Sequence, residues 1–268
     1  GDPASELKKI SLDEFYKNFT GVLLLLNPTS EFKGGKIEKG GMMKRYLDLL
    51  LPQKKLFAYA ILGSLIVTIL GNAGLIVFGT MTGYWLARHR TRLNRFLYIL
   101  FLGAMAIPFE ACMIPIMRVT SMCHLNRSLL GLGVCYWGLG ASTVVFLTYG
   151  AVLNIPYELE ESATIDGCSR LRLFWQIVFP LLKPIVITFT IMNTFWFWND
   201  YLMPQLMLGR SSKLYTLQLT MRSMFMEYFT MWDVALAGLV LILIPTIIFF
   251  LIAQKKIVEG LMSGSVKG

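Results

Sequence analysis

Apolar residues along this chain gather into five long runs rather than alternating or repeating on one helical face. They cover about 57–86, 96–117, 129–153, 184–208 and 234–253. A hydrocarbon layer about 30 Å thick asks for roughly 20 mostly apolar residues per helix, and each run meets that length. The pattern predicts an all-α fold, a polytopic transmembrane helix bundle with about five spans over residues 57–268. Residues 1–56 form a separate head. Its longest apolar run, GVLLLL at Gly21–Leu26, is too short to cross.

Polar residues concentrate between the third and fourth runs, in 154–183. Here EESATIDGCSRLRLFWQIVFPLLKP opens with adjacent carboxylates. Pro156 suits the first turn of a helix, where its missing N–H costs nothing. Glu158, Glu160 and Glu161 favour the positive end of the helix dipole. Asp166-Gly167 ends that helix, because glycine takes the left-handed C′ conformation freely. Ser169 caps a second short helix, which Pro180 is expected to end. Leu171, Phe174, Trp175 and Val178 fall at i, i+3, i+4 and i+7 and form one apolar face, with Arg170 and Arg172 off it. Periodicity leaves two readings open: a loop resting on lipid headgroups, or a knob that enters a cleft on a cytoplasmic partner.

Composition supports the membrane reading. Of 268 residues 55% are hydrophobic and 15% charged, and mean hydropathy is +0.59. Soluble domains carry about 25% charged residues. The net charge of +9 orients spans by the positive-inside rule rather than marking a nucleic-acid surface. Loop 87–95, with Arg88, Arg90, Arg92 and Arg95, is assigned to the cytoplasm. Alternation places 154–183 and the C-terminal tail there too, and 118–128 and 209–233 outside. The head breaks this order: residues 1–55 hold ten Lys/Arg yet precede a span whose start lies outside.

Candidate chemistry is sparse. Cys112, Cys123, Cys135 and Cys168 form no CxxC pair, and His89 and His124 are the only histidines. No zinc site, no Ser-His-Asp constellation and no GxxxxGK[ST] loop is present. The chain is expected to hold no metal or cofactor and to catalyse nothing; any ATP and Mg belong to a partner. Glu110, an acid inside the second run, is a substrate-path candidate, with an interfacial acid as the alternative. Asn193, Trp196, Asn199 and Asp200 offer rings and amides suited to sugars, and an aromatic belt accounts for the rings equally well.

The order Glu161-Ser162-Ala163, three residues, Gly167, nine residues, Ile177, one residue, Phe179-Pro180 resembles the EAA loop of permease subunits of bacterial ATP-binding-cassette importers. Ser162 and Phe179 stand where the pattern has alanine and leucine. IPYELEESATIDG, the WND at Trp198–Asp200, SLIVTI, Tyr84–Arg88 and the ending QKKIVEGLMSGSVKG resemble the carbohydrate branch of that family, over about residues 65–268. The resemblance implies a coupling helix that docks in a groove of an ATPase subunit. Glu161 would pair with a basic residue there, Gly167 would permit the turn, and the Leu171/Phe174/Trp175 face would anchor the knob. Ser162, Ala163, Asp166, Ile177 and Pro180 complete the motif. It also implies a bacterial cytoplasmic-membrane location and four kinds of neighbour: a second permease subunit, two cytoplasmic ATPase subunits, an extracytoplasmic sugar-binding protein and the lipid bilayer.

The head does not share this likeness. Residues 1–33 resemble the close of the cysteine-peptidase domain of bacteriocin-type exporters, and 44–70 the start of such an exporter's first helix. Asp2 would be the third member of a Cys-His-Asp triad whose other members are missing, so no proteolysis is expected. The importer family normally has six spans, and its first is absent here. A join near Ser64–Asn72 is the expected explanation, and a fragment of a peptidase-containing exporter is the alternative function.

Overall fold

The computed structural model describes residues 54–209, 216–221, 239–240 and 243–254. The head before residue 54, most of loop 209–233, the start of the fifth run and the tail lie outside the described residues. The described chain is helical, as the apolar runs predict.

The first run forms a single rod, Lys55–Arg88, of 34 residues. It takes in all but the first residue of α1 (Lys54–Gly74), a π turn (Leu75–Gly79) and α2 (Thr80–Arg88). At 1.5 Å per residue the rod is roughly 50 Å long, well beyond the hydrocarbon thickness, so its polar end stands clear of the lipid or the rod tilts strongly. The Thr80 hydroxyl donates back to the Ile76 carbonyl within the widened turn. The rod stops where His89 leaves helical geometry, and the Thr91 hydroxyl then accepts from Asn94 N at 3.2 Å to start the next helix.

The second run is broken. Instead of one span over 96–117, α3 (Arg92–Ala104) and α4 (Phe109–Met122) meet at a 113° bend. Pro108 has no N–H and disfavours helical geometry at Ile107; it takes extended geometry itself. Apolarity gave the length of this run, and the proline decided its shape.

The third run needs no correction. α5 spans Leu129–Leu153, and the Ser128 hydroxyl caps it by accepting from Gly131 N at 2.9 Å. The fourth is shifted. A helix runs from Arg170 to Asn199, so it begins well before Pro184 and ends before 208. It comprises α7 (Arg170–Leu173), a second π turn (Phe174–Val178) and α8 (Phe179–Asn199). Pro180 therefore does not end a helix. The π turn sends Phe179 N–H to the Phe174 carbonyl, and this local re-registration absorbs the proline, as adjustments of that kind do in membrane helices. After Asn199 the chain extends at Asp200, and 202–208 is a separate short helix, α9 (Leu202–Leu208). From the fifth run, Leu243–Gln254 is an apolar helix, α10. Among the described residues three helices are long enough to cross a membrane, or four if the bent pair is one span.

α5 is the axis of the bundle. It packs against α1, α2, α3, α8 and α9, and Leu132, Tyr136, Val144 and Thr148 are fully buried. Lipid tails are as apolar as leucine, so helices in a bilayer associate through close packing and hydrogen bonds rather than through the hydrophobic effect. The contacts match that rule. Trp137 lies over Gly74, where an added Cβ would come within 2.0 Å of the indole, and its Nε1 donates to the Leu70 carbonyl at 2.7 Å. At Gly83 a Cβ would meet Thr148 at 2.7 Å.

Gly74→Val is expected to push Trp137 off Leu70 and to destabilise the purified protein by about 1–3 kcal/mol, the range for overpacking. Thermal unfolding in detergent measures this. Gly138→Ala, where nothing lies within 4 Å of the new carbon, is the control that should stay near wild type.

Candidate functional site

The polar stretch 154–183 is compact and tied to the bundle. α6 spans Glu158–Ile165 and starts on Tyr157, whose carbonyl accepts from Glu160 N and Glu161 N. Pro156 thus precedes the helix by two residues rather than lying in its first turn. At the other end Gly167 has φ +81°. Its N–H reaches the Thr164 carbonyl at 3.1 Å, and Cys168 N reaches the Ala163 carbonyl at 2.9 Å. This pair of bonds is a Schellman cap, with glycine in the left-handed position. No atom crowds a Cβ built at Gly167, so the backbone angle alone selects glycine.

The loop has an inner and an outer side. Glu161, Ser162, Asp166, Arg170 and Arg172 are exposed, with Leu159, Leu171 and above all Ile165, which is 86% exposed. Ala163, Leu173, Phe174 and Val178 face inward, Ile177 is half-buried and Pro180 exposed. The apolar stripe read from the sequence is therefore divided. Leu171 and Trp175 look outward, while Phe174 and Val178 belong to the core. The second π turn carries this division, because it rotates Phe174 onto the Tyr84 ring with centroids 5.3 Å apart.

Glu160 is the residue that sequence reasoning missed. It is buried, and both its oxygens are engaged. Arg88 Nε donates to Oε1 at 2.7 Å and the Tyr84 hydroxyl donates to Oε2 at 2.7 Å. Arg88 Nη2 donates to the Ile155 carbonyl at 2.9 Å, and the guanidinium lies 5.7 Å from the Tyr157 ring centre. Side-chain exposures of 12% for Arg88 and 6% for Glu160 make this a desolvated ion pair, which persists only when its remaining polar atoms are satisfied. Two signals were available: Tyr84 and Arg88 lie four residues apart on one helical face, and Glu160 and Ala163 lie three apart on another. Nothing in the sequence joins those faces. The contact also puts loops 87–95 and 154–169 at one end of the bundle, as the charge pattern predicts. Arg127 N bonds the Met207 carbonyl at the other end.

The substrate-path candidates do not form one cluster. Glu110 is exposed in the first turn of α4. Asn199 turns its amide back to the Phe195 carbonyl at 2.8 Å. Trp196 is 40% exposed and tilts against Tyr136 at 5.8 Å. Asp200 accepts from the Tyr136 hydroxyl at 2.8 Å and from Leu202 N at 3.0 Å, and so caps α9. Burial pushes the Asp200 carboxyl pKa up, against the opposing pull of Tyr136 and the backbone N–H groups. Asn193 is buried, and among the described residues its Nδ2 has no partner.

A second polar group was missed in the sequence. Thr68, Asn72, Thr190 and Trp198 line a cleft of about 550 Å³ between α1, α8 and α10. Asn72 Nδ2 bridges the helices to Thr194 Oγ1 at 3.0 Å. Thr68 Oγ1, Asn72 Oδ1, Thr190 Oγ1 and Trp198 Nε1 are buried without a partner among the described residues. Among the described residues no ionisable side chain lines the cleft.

The model of the family described as the binding-protein-dependent transport system inner membrane component matches residues 76–261. The chain belongs to this family. The match takes in α2, the Arg88–Glu160 contact, the whole loop and α8. Among relatives of the transport family, the chain is 40% identical over 205 residues to a probable starch degradation products transport system permease protein, AmyC, of Thermoanaerobacterium thermosulfurigenes. That alignment covers 76% of this chain and 74% of the relative. It is 35% identical to the melibiose/raffinose/stachyose import permease protein MelC of Bacillus subtilis, covering 77% and 75%. A multiple sugar-binding transport system permease protein, MsmG, of Streptococcus mutans is 33% identical, covering 76% and 74%. The likeness of the head to a peptidase domain gains no support from these relatives, and the exporter alternative is not carried further.

Proposed function

We propose that this permease moves oligosaccharides or smaller sugars across the bacterial cytoplasmic membrane, and that the loop 154–183 couples transport to ATP hydrolysis in a partner. The observation that carries the coupling is the two-sided loop. Its inner side is locked to the bundle, while Glu161, Ile165, Asp166 and Leu171 project from the end that bears the arginine cluster. An outward acidic and apolar surface on a short capped helix suits a groove with basic and apolar walls. The partners are a second permease subunit, two cytoplasmic ATPase subunits that bind ATP and Mg, and an extracytoplasmic sugar-binding protein. The chain itself performs no chemistry. It converts a push on the loop into tilting of its helices, with loops 87–95 and 154–183 and the C-terminus in the cytoplasm.

The sugar class is supported by the relatives' names and by the absence of charge among the described residues that line the cleft. Partnerless polar atoms midway along membrane helices are functional candidates. In this reading Thr68, Asn72 and Thr190 offer hydrogen bonds to hydroxyls, and Trp198 offers a ring.

Uptake of labelled raffinose and maltotriose into proteoliposomes, with the four kinds of subunit reconstituted, tests the function. Gly167→Val forces a β-branched residue into left-handed geometry, at about 1–2 kcal/mol. It is expected to abolish stimulation of ATPase by loaded binding protein. Wild-type stimulation in that variant would remove the loop from the mechanism. Asn72→Leu with Thr190→Val is expected to raise the KM for uptake several-fold while ATPase subunits still bind. An unchanged KM would exclude the cleft from the solute path.

A further inference from the structure

The geometry points to Arg88 as a positioning residue for coupling: it makes the first membrane rod a lever that moves with the loop. This rests on the reading of 154–183 as the ATPase-coupling loop.

Chain connectivity links α6 to α5, through residues 154–157, and to α8, through α7 and the second π turn. It does not link the loop to the rod Lys55–Arg88, since 72 residues separate Arg88 from Glu160. Yet the last residue of that rod grips the loop at two points. Nε holds the Glu160 carboxylate in the first turn of α6, and Nη2 holds the Ile155 carbonyl before α6 begins. Tyr84, one turn back, holds the other Glu160 oxygen and tilts its ring against Phe174. The contacts fall on both sides of Tyr157, so α6 cannot slide or rotate against the end of α2 without leaving a buried charge unpaired. Such a loss is costly, so displacement of α6 is passed to the rod. The rod packs along α5 and α8 and borders the polar cleft through Thr68 and Asn72. A push at the loop therefore reaches the interior of the membrane through a third helix in addition to the two joined covalently.

A static role in folding is the competing account, and a charge-free replacement separates the two. Buried ion pairs are often replaced by apolar residues of similar volume without loss of stability. The triple variant Arg88→Met, Glu160→Leu, Tyr84→Phe leaves neither an unpaired charge nor an unpaired hydroxyl in the clamp, so it is expected to fold where Arg88→Ala alone fails. In the reconstituted complex this variant should retain the ATPase subunits. Stimulation of ATP hydrolysis by loaded binding protein should fall roughly ten-fold, and raffinose taken up per ATP should fall with it. Arg88→Lys, which keeps the charge but loses one of the two grips, should lie between. Near-wild-type uptake per ATP in the triple variant would reduce the clamp to a folding element and overturn the proposal. Loss of the ATPase subunits, or failure of the triple variant to fold, would overturn it too, by assigning the clamp to docking or to stability. If the wild-type complex shows no stimulation, the coupling role of the loop falls first and this proposal with it.

Discussion

Removing the charges of Arg88 and Glu160 from water is the constraint around which the loop-bearing end of this permease is organised. A buried pair is tolerated only when every remaining donor and acceptor is occupied. That requirement fixes several parts of the molecule together. Arg88 must stand at the end of α2, Tyr84 one turn earlier, and the Ile155 carbonyl must turn toward the guanidinium before α6 starts. With those positions set, Glu161, Ile165 and Asp166 are left on the outer side. The exposed surface of the loop is thus a consequence of what the inner side holds.

Within the membrane a different balance governs. Small residues and directed hydrogen bonds replace the hydrophobic effect as the source of specificity. Trp137 resting on Gly74 and bonded to the Leu70 carbonyl, and Asn72 reaching across to Thr194, set the spacing of α1, α5 and α8. The two π turns adjust registers in this framework. The first lies in the rod between Asn72 and Tyr84, and the second brings Phe174 against Tyr84 just before α8. The first therefore joins the Tyr84–Arg88 end of the rod to the polar cleft, which it borders through Ile76, and the second lies within 154–183 itself.

Much of this was legible in the sequence because it depends on local rules. α5 appears at the boundaries its apolar run predicts, and Asp166-Gly167 ends α6 with the expected left-handed glycine. Readings failed where a local rule met a second influence. Pro108 broke a run whose apolarity suggested one straight span, whereas Pro180, a stop signal by the same rule, was absorbed by a π turn that no periodicity announces. Glu160 looked like its neighbours Glu158 and Glu161, three carboxylates at a helix start. Only the approach of Arg88 sets it apart, and that long-range contact has no signature in spacing. The Leu171–Val178 stripe was divided because the π turn changed the phase within it.

Pulsed electron–electron distance measurement is the most direct test of the central claim, that the loop and the end of the first rod move as one body. Spin labels at Arg90 and Ile165, in a chain whose native cysteines are replaced, report the separation of the two elements in the assembled transporter. The account predicts one narrow distance distribution that stays in place between nucleotide-free and ATP-bound states. A distribution that shifts or splits when ATP binds would contradict it.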